Sequence, residues 1–315
     1  MIVTEGLTKV FKNFRRPPVT AVDNINYSVD EGTIFGYLGP NGAGKTTTIK
    51  MISTILPPTS GTARVCGYDI IKQPLEVKKR IGLMPENSGF YGNLTGLNVL
   101  MYYGEFYGKP KKVRRQRSLE LLEDIGLGDA IYRKVKNYSH GMRKRLTFCV
   151  ALFNEPDLLI LDEPTSGLDP QGTYEFRNRI RSLSNEGITI FLSSHLLTEV
   201  EQICDMVGII HQGKIVDSGS IDYLQKKIEG SSTEMTVAFQ MDDVADEVLS
   251  SFGEMDGIKA AQKVGKEYFF RVDSKKRIPE VNNELVRNKI GVYSINVKHV
   301  SLEDIYLNLT GGGGK

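Results

Sequence analysis

A glycine-rich loop between a short apolar run and a helical pattern is the feature that most constrains this chain. The loop matches the pattern GxxxxGK[ST] over Gly39, Pro40, Asn41, Gly42, Ala43, Gly44, Lys45 and Thr46, and Thr47 follows. The apolar run Thr33–Leu38 before it reads as a strand. Apolar residues then recur at helical spacing up to Pro57, at Ile49, Ile52, Ile55 and Leu56. A strand, a loop of this pattern and a helix in succession predict an α/β fold.

The composition of this loop indicates phosphate binding. Glycines let several backbone N–H groups turn inward around phosphate oxygens, and the start of a helix adds positive partial charge. Lys45 is placed to reach the β- and γ-phosphates of a nucleoside triphosphate, and the Thr46 hydroxyl to ligate Mg²⁺. An ordinary glycine turn would match this pattern with a probability of about 1% in a chain this long, so we reject that alternative.

Two adjacent acids end a second apolar run. Leu158–Leu161 reads as a continuous buried strand, and Asp162 and Glu163 follow it directly. Adjacent carboxylates at the end of a buried strand are rare unless they are paired or bound to a cation. Asp162 suits the shell of a Mg²⁺ ion, and Glu163 suits a general base that orients and deprotonates water. The alternative is that one of these acids caps the next helix.

The order of apolar patterns predicts two domains. Short β-branched runs alternate with helical patterns in the first two-thirds of the chain, with another buried strand at Thr189–Ser193. Residues 87–156 read as a mostly helical insertion into this sheet domain, and one helix is expected to bury Leu119, Leu122 and Ile125. We therefore place the first domain at residues 1–222.

A second, smaller domain is predicted at residues 230–310. The order strand, helix, strand, strand, helix, strand over residues 233–298 is typical of a ferredoxin-like α+β domain. A last helix follows, with Ser301 and Asp304 spaced as a capping box. Residues 311–315, four glycines and a lysine, read as a flexible tail.

Composition narrows the class of protein further. The net charge of +2 argues against a dedicated nucleic-acid binder, although it leaves room for a local basic patch. The three cysteines form no CxxC pair, which is typical of a reducing compartment. The chain shows neither a signal-peptide pattern nor a run near the roughly 18 apolar residues that span a bilayer, so any membrane-spanning part is expected on another chain.

Four further segments make the chain resemble the nucleotide-binding domain of ATP-binding-cassette (ABC) transporters. The segment Tyr138-Ser139-His140-Gly141-Met142 is similar to the family's signature motif LSGGQ, with His140 and Met142 in place of glycine and glutamine. By this resemblance Ser139, Gly141 and Met142 contact the γ-phosphate of ATP held by another subunit. A serine hydroxyl and N–H groups at a helix start can both donate to phosphate.

Three other segments keep the family's order. Ser166–Asp169 resembles its D-loop, and His195 after Ser193-Ser194 resembles the switch histidine that contacts the γ-phosphate. Near the start, Phe11 resembles the aromatic residue that stacks on adenine, with Phe14 as a weaker candidate. The alternative for Phe11 is an aromatic side chain packed beneath the first strands.

Glu86 is the largest departure from the family pattern. It stands where glutamine is usual, in a position that touches Mg²⁺ and the attacking water and links to the transmembrane subunit. Glutamate can still ligate the metal, but it adds negative charge beside the γ-phosphate. Glutamate here, methionine in the signature and the small second domain resemble the subfamily that serves ABC-2-type, multidrug-type exporters.

The resemblance implies a P-loop NTPase fold, an ABC ATPase core whose mixed sheet carries a β-subdomain and a helical insertion. It also implies an ATP- and Mg²⁺-dependent ATPase, in which Lys45, Glu163 and His195 are catalytic. Two copies are expected to sandwich ATP as a homodimer, or one copy with a homologue as a heterodimer. The partner is an integral membrane permease, and the location is cytoplasmic, at the inner face of the membrane. The alternatives are a non-transport ABC ATPase of DNA repair or the ribosome, and a nucleotide-binding module without hydrolysis.

Overall fold

A computed structural model describes residues 1–13, 16–229, 235–253, 255–298 and 301–310. Phe14, the predicted tail 311–315 and the first two residues of the strand predicted from residue 233 lie outside the described residues. The chain divides into two compact units, residues 1–221 and 222–315.

The first unit contains strands and helices in alternation. Its strands are β1 Ile2–Asn13, β2 Arg16–Ile25, β3 Ser28–Val29, β4 Ile34–Leu38, β5 Ser60–Val65, β6 Tyr68–Asp69, β7 Ile81–Met84, β8 Leu158–Asp162, β9 Thr189–Ser194, β10 Met206–His211 and β11 Lys214–Ser220. Its helices are α1 Lys45–Ile52, α2 Pro74–Arg80, α3 Gly96–Glu105, α4 Lys111–Asp124, α5 His140–Leu152, α6 Pro170–Asn185 and α7 Leu197–Ile203, followed by α8 Ile221–Glu229 at the boundary between the units.

A six-stranded sheet in the order β11-β10-β4-β9-β8-β7 forms the centre of this unit. Strands β10, β4, β9, β8 and β7 are parallel, and β11 is antiparallel to β10. Every residue of β4, β8 and β9 is buried, because helices cover both faces of a parallel sheet. The carboxyl ends of β4, β9, β8 and β7 therefore meet at one edge, where ligands bind in open α/β sheets.

A separate antiparallel sheet in the order β2-β1-β5-β6, with β3 on β1, forms the predicted β-subdomain. The helical insertion is also confirmed, as α3, α4 and α5 with short 3-10 turns at Gly128–Tyr132 and Val135–Asn137. Helix α4 buries Ser118, Leu121 and Leu122, so only Leu122 of the expected face is buried, and Leu119 and Ile125 are half-buried. Which residues of α4 are buried depends on the elements that pack against the helix, and the periodicity of its own sequence does not specify them.

Helix α1 ends earlier than its apolar spacing predicted. It stops at Ile52, and Thr54 adopts left-handed backbone with φ of 62°. The Ser53 hydroxyl bonds to the carbonyl of Ile49 at 2.7 Å and competes with helix continuation. Ile55 is 57% exposed, so it does not continue the buried face. The prolines that follow also disfavour helical backbone at the residue before them.

The second unit has the predicted element order. It comprises β12 Met235–Met241, α9 Asp246–Phe252, β13 Ile258–Val264, β14 Glu267–Val272, α10 Arg277–Arg287, β15 Val292–Lys298 and α11 Leu302–Thr310. The sheet order β13-β14-β12-β15 is antiparallel throughout, the arrangement of a ferredoxin-like domain. Ser301 and Asp304 exchange hydrogen bonds between side chain and backbone at 3.1 Å, which confirms the capping box.

Candidate functional site

The glycine loop joins β4 to α1 and leaves the start of the helix without a side-chain cap. Gly44 is the N-cap residue, and its φ of 111° is left-handed. A Cβ on Gly44 would lie 2.5 Å from the carbonyl oxygen of Ala21, and one on Gly39 would lie 2.3 Å from that of Ile210. Both positions therefore need glycine. The first N–H groups of α1 have no partner within the helix, which makes this end an anion site.

Lys45 lies folded back over the loop. Its side chain is only 6% exposed, and its Nζ donates to the carbonyl oxygens of Gly39 at 2.7 Å and Pro40 at 3.3 Å. The same ammonium lies 3.4 Å from Oε1 of Glu163. A buried positive charge is thus held beside the uncapped helix start, where phosphate oxygens would bind.

Glu163 occupies a constrained position directly after β8. Its φ of 49° is left-handed, which is uncommon for a residue other than glycine and is often found at functional sites. Its side chain is 10% exposed, and Oε2 lies 2.8 Å from Nδ1 of His195. Among the described residues, Oε1 has no hydrogen-bond partner apart from its ion-pair contact with Lys45. A buried carboxylate with one unsatisfied oxygen is suited to accept a proton from water.

Asp162 is the last residue of β8 and directly precedes Glu163. It is 2% exposed, and Oδ1 accepts a hydrogen bond from the Ser193 hydroxyl at 2.6 Å. Ser193 Oγ also accepts from the backbone N–H of Glu163 at 3.1 Å. The parallel register pairs Asp162 with Ser193 across β8 and β9, so one hydroxyl ties both acids to the neighbouring strand.

Lys45, Glu163 and His195 line a cavity of about 320 Å³ at the carboxyl ends of the parallel strands. Its lining residues are Ala21, Pro40, Asn41, Gly42, Gly44, Lys45, Thr46, Thr47, Glu86, Glu163, Ser166 and His195. Glu86 is exposed and follows β7, and His195 follows β9 with its side chain 40% exposed. The predicted residues Gly39, Ala43 and Asp162 are buried behind the lining.

A larger cavity of about 600 Å³ lies elsewhere in the first unit, between α4 and α6. Its two arginines are ion-paired: Arg179 lies 2.7 Å from Asp124, and Arg117 lies 3.8 Å from Glu155. It contains none of the residues with phosphate-binding or acid–base geometry. We therefore identify the smaller cavity as the functional site.

Phe11 lies on β1, opposite Val19 of β2, and does not line the cavity. Its side chain is 44% exposed, so the alternative that it packs beneath the first strands is wrong. The Lys9 ammonium lies 5.5 Å from its ring centre. Ala21, on the adjoining strand β2, does line the cavity, which leaves Phe11 on an exposed surface of the same sheet.

The residues of the signature segment lie at the start of α5 and do not line the cavity of their own chain. Ser139 is the N-cap residue, and its hydroxyl accepts a hydrogen bond from the N–H of Met142 at 3.2 Å. His140, the substitution for glycine, places Nε2 3.3 Å from the carbonyl oxygen of Ser166. The start of α5 therefore contacts the segment that follows Glu163.

Lys144 is a site residue that the sequence did not indicate. It is 5% exposed on α5, and its Nζ donates to the carbonyl oxygens of Glu163 and, at 3.2 Å, Pro164. Burial lowers the pKa of the Lys144 ammonium, and the nearby carboxylates of Glu163 and Glu86 oppose that shift. The basic run Arg143-Lys144-Arg145 reads as a solvated helix face, so no local signal distinguishes the buried lysine from its neighbours.

Lys144→Met is expected to lower kcat for ATP about tenfold to a hundredfold, because hydrogen bonds from a charged donor contribute about 1.5–3 kcal/mol. These bonds hold the backbone of Glu163, so the KM for ATP should change little. Steady-state ATPase assays measure kcat and KM separately and so check both expectations. The control is Lys136→Met, the same change at an exposed lysine. A loss of activity that only matches a loss of folded protein in thermal melts would contradict the positioning role.

A family model described as "ABC transporter" matches residues 22–166 of this chain. The bacitracin transport ATP-binding protein BcrA of Bacillus licheniformis is 39% identical over 315 residues, which cover 99% of this chain and 98% of that protein. The daunorubicin/doxorubicin resistance ATP-binding protein DrrA of Streptomyces peucetius is 34% identical over 98% of this chain and 92% of that protein.

Solved structures agree with this fold over 70–73% of the chain. One, described as the ATP-binding subunit of an ABC transporter, superposes with a TM-score of 0.65 at 27% identity, covering 73% of this chain and 93% of that one. Another, the dimeric ATP-binding cassette MJ0796 in a post-hydrolysis state with ADP and Pi, has a TM-score of 0.65 at 22% identity. It covers 70% of this chain and 99% of its own, and supports the fold alone.

Proposed function

This chain belongs to the ABC transporter family of ATP-binding proteins, and from that premise we propose that it is the ATP-binding and ATP-hydrolysing subunit of an exporter. One observation carries the proposal: the buried carboxylate of Glu163 contacts both Lys45 and His195 at the mouth of a glycine loop. The comparisons do not support a role in DNA repair or at the ribosome. The presence of Glu163 and His195 argues against a module that binds nucleotide without hydrolysing it.

The residues of the cavity divide the work of hydrolysis. The N–H groups of the loop and the Lys45 ammonium bind the phosphates and stabilise the charge that develops on the transferred group. Glu163 accepts the proton of the attacking water as the general base. His195, whose Nδ1 lies 2.8 Å from the same carboxylate, orients Glu163 and is assigned to contact the γ-phosphate.

The oxygen donors at the cavity suit a Mg²⁺ ion. Thr46 and Glu86 line the cavity and Asp162 lies directly behind it, and hydroxyl and carboxylate oxygens are the donors that this ion prefers. Among the described residues, no cluster of three or more His, Cys, Asp or Glu could hold a metal without help. We therefore assign Thr46, Asp162 and Glu86 to a Mg²⁺ ion shared with the triphosphate. The ion would neutralise charge on the phosphate oxygens.

A second subunit completes the site in this proposal. Ser139, Gly141 and Met142 form a helix start that does not line the cavity of their own chain, so they are available to ATP bound by a partner. One sequence carries both the phosphate loop and the signature segment, which favours a head-to-tail homodimer, with a heterodimer as the alternative. Phe11, exposed on the sheet that also supplies Ala21, is assigned to adenine stacking.

The membrane-spanning part is assigned to a separate permease chain. No helix in the described part of this chain combines the length and apolar character that crossing a bilayer requires. We place the subunit in the cytoplasm, peripheral on the inner face of the membrane, with the surface around Glu86–Tyr91 receiving a short helix of the permease. The names of the two relatives, which refer to bacitracin and to daunorubicin or doxorubicin, support antibiotic-type compounds as cargo.

Co-expression with a candidate permease tests this function. The two chains are expected to co-purify, and compounds of the antibiotic type are expected to stimulate Mg²⁺-dependent ATP hydrolysis by the complex in vesicles. EDTA should abolish that hydrolysis, because the metal ion is needed to neutralise charge on the phosphate oxygens. Hydrolysis that responds to DNA or ribosomes and to no permease would overturn the proposal.

A further inference from the structure

A strongly basic segment follows α3 and forms the first half of α4. Its six basic residues lie within nine positions: Lys109, Lys111, Lys112, Arg114, Arg115 and Arg117. No acidic residue lies between Phe106 and Arg117, so this stretch carries a charge of +6 in a chain whose net charge is +2. The rest of the chain is therefore net negative, and the positive charge is concentrated here.

Only part of this charge is neutralised within the chain. Arg114 pairs with Glu105 at 3.0 Å, and Arg117 pairs with Glu155 at 3.8 Å and Glu120 at 4.0 Å. In the described part of the chain, the other four cations make no ion pair; they are Lys109, Lys111, Lys112 and Arg115. The last three of these are exposed.

The position of these cations also departs from the usual charge pattern of helices. Helix α4 begins at Lys111 with no acidic residue in its first turn and with Pro110 as N-cap. Cations at a helix start are unfavourable, because the helix dipole is positive there. Local rules that a sequence breaks without internal compensation are often found at interaction sites.

Exposed aromatic rings adjoin the basic segment. Tyr91 is 70% exposed, Tyr102 41% and Phe106 72%, and the Tyr102 ring contacts both of the others, with centroids 6.2 Å and 5.3 Å apart. Tyr107 is also exposed and lies two residues before Lys109, where the basic segment begins. Contiguous exposed aromatic surface of this kind marks an interaction site.

We propose that the surface formed by Tyr102, Phe106 and the four unpaired cations, here called the basic–aromatic surface, binds the anionic headgroups of the membrane that contains the permease. Basic side chains beside aromatic rings match the lipid interface, where cations meet headgroup phosphates and aromatic rings lie at headgroup depth. The proposal rests on the proposed function, because Tyr91 ends the segment assigned to the permease and its ring contacts Tyr102, which places the basic–aromatic surface beside the permease and the bilayer.

Vesicle binding by the purified full-length chain tests this inference. The probes are vesicles of phosphatidylcholine alone and of two parts phosphatidylcholine to one part phosphatidylglycerol. We expect co-sedimentation only with the anionic vesicles, weakened at high salt because screening shortens the range of the attraction. Replacing Lys109, Lys111, Lys112 and Arg115 with glutamine is expected to lower the partition coefficient about fivefold per charge. Phe106→Ala is expected to lower it further.

The matched control replaces four other exposed lysines with glutamine, at Lys72, Lys78, Lys275 and Lys276, which makes the same change in net charge. An equal loss of binding in this control would overturn the proposal, since net charge and not the surface would then be responsible. Equal binding to neutral vesicles would also overturn it. The proposal would also be overturned if the chain bound an acidic permease segment or single-stranded RNA and did not bind lipid vesicles.

ATPase activity of the same preparations separates this inference from the proposed function. In the absence of vesicles, the four-glutamine variant is expected to hydrolyse ATP at the wild-type rate, since none of its altered residues lines the nucleotide cavity. A wild-type chain that binds anionic vesicles without hydrolysing ATP would refute the proposed function and leave lipid binding standing. An active chain that ignores those vesicles would refute only the lipid surface.

Discussion

Glu163→Gln is expected to lower ATP turnover by about a hundredfold to ten-thousandfold, the range that general-base catalysis contributes. Glutamine preserves the shape of the side chain but cannot accept the proton of the attacking water. Its amide can still meet His195, which lies 2.8 Å from the carboxylate in the wild-type chain. Binding of MgATP should therefore persist, and the variant should accumulate as an ATP-bound dimer.

Two measurements on one preparation check this expectation. Single-turnover hydrolysis reports the chemical step, and light scattering with and without MgATP reports the dimer. Glu155→Gln is the matched control, because Glu155 is 67% exposed and does not line the nucleotide cavity. Turnover near the wild-type rate in Glu163→Gln would rule out Glu163 as the base, and failure to dimerise with ATP would argue against ATP as the adhesive between subunits.

Mixing two inactive variants, Lys45→Ala and Ser139→Ala, is expected to restore hydrolysis. Each variant alone damages both sites of a head-to-tail homodimer. In a mixed dimer both lesions fall in one site, and the other site receives an intact Lys45 from one chain and an intact Ser139 from its mate. Half of randomly paired dimers are mixed, so recovery of about a quarter of wild-type turnover is expected for independent sites.

The cap role of Ser139 requires its own control in this experiment. Its hydroxyl accepts from the N–H of Met142, so Ser139→Ala also removes a helix cap, which costs about 1 kcal/mol. Thr95→Ala removes an equivalent cap at the start of α3, where Thr95 accepts from the N–H of Asn98. If Thr95→Ala lost as much activity as Ser139→Ala, the loss would reflect stability. If mixing restored nothing, Ser139 would not complete the site of a partner.

Features that depend on neighbouring residues were predictable from the sequence. The glycine loop needs Gly44 at left-handed φ, and the buried strands β4, β8 and β9 appear as continuous apolar runs. The capping box at Ser301 also follows from side chains only three residues apart. The end of α1 was missed although it is local, because the Ser53 hydroxyl competes with helix continuation while apolar spacing favours it.

Features that depend on the order of strands were decided only by the tertiary structure. Glu163 meets Lys45 and His195 because β8 and β4 both flank β9 in the sheet, and no motif specifies that order. Ser193 bonds to Asp162 across 31 residues of chain, and Lys144 is buried against a carbonyl 19 residues away. The sequence by itself thus determined the chemical groups and the backbone of the phosphate loop, because torsion angles and caps respond to adjacent residues. Packing of parallel strands determined which groups touch, because burial and long-range hydrogen bonds exist only after the sheet has formed.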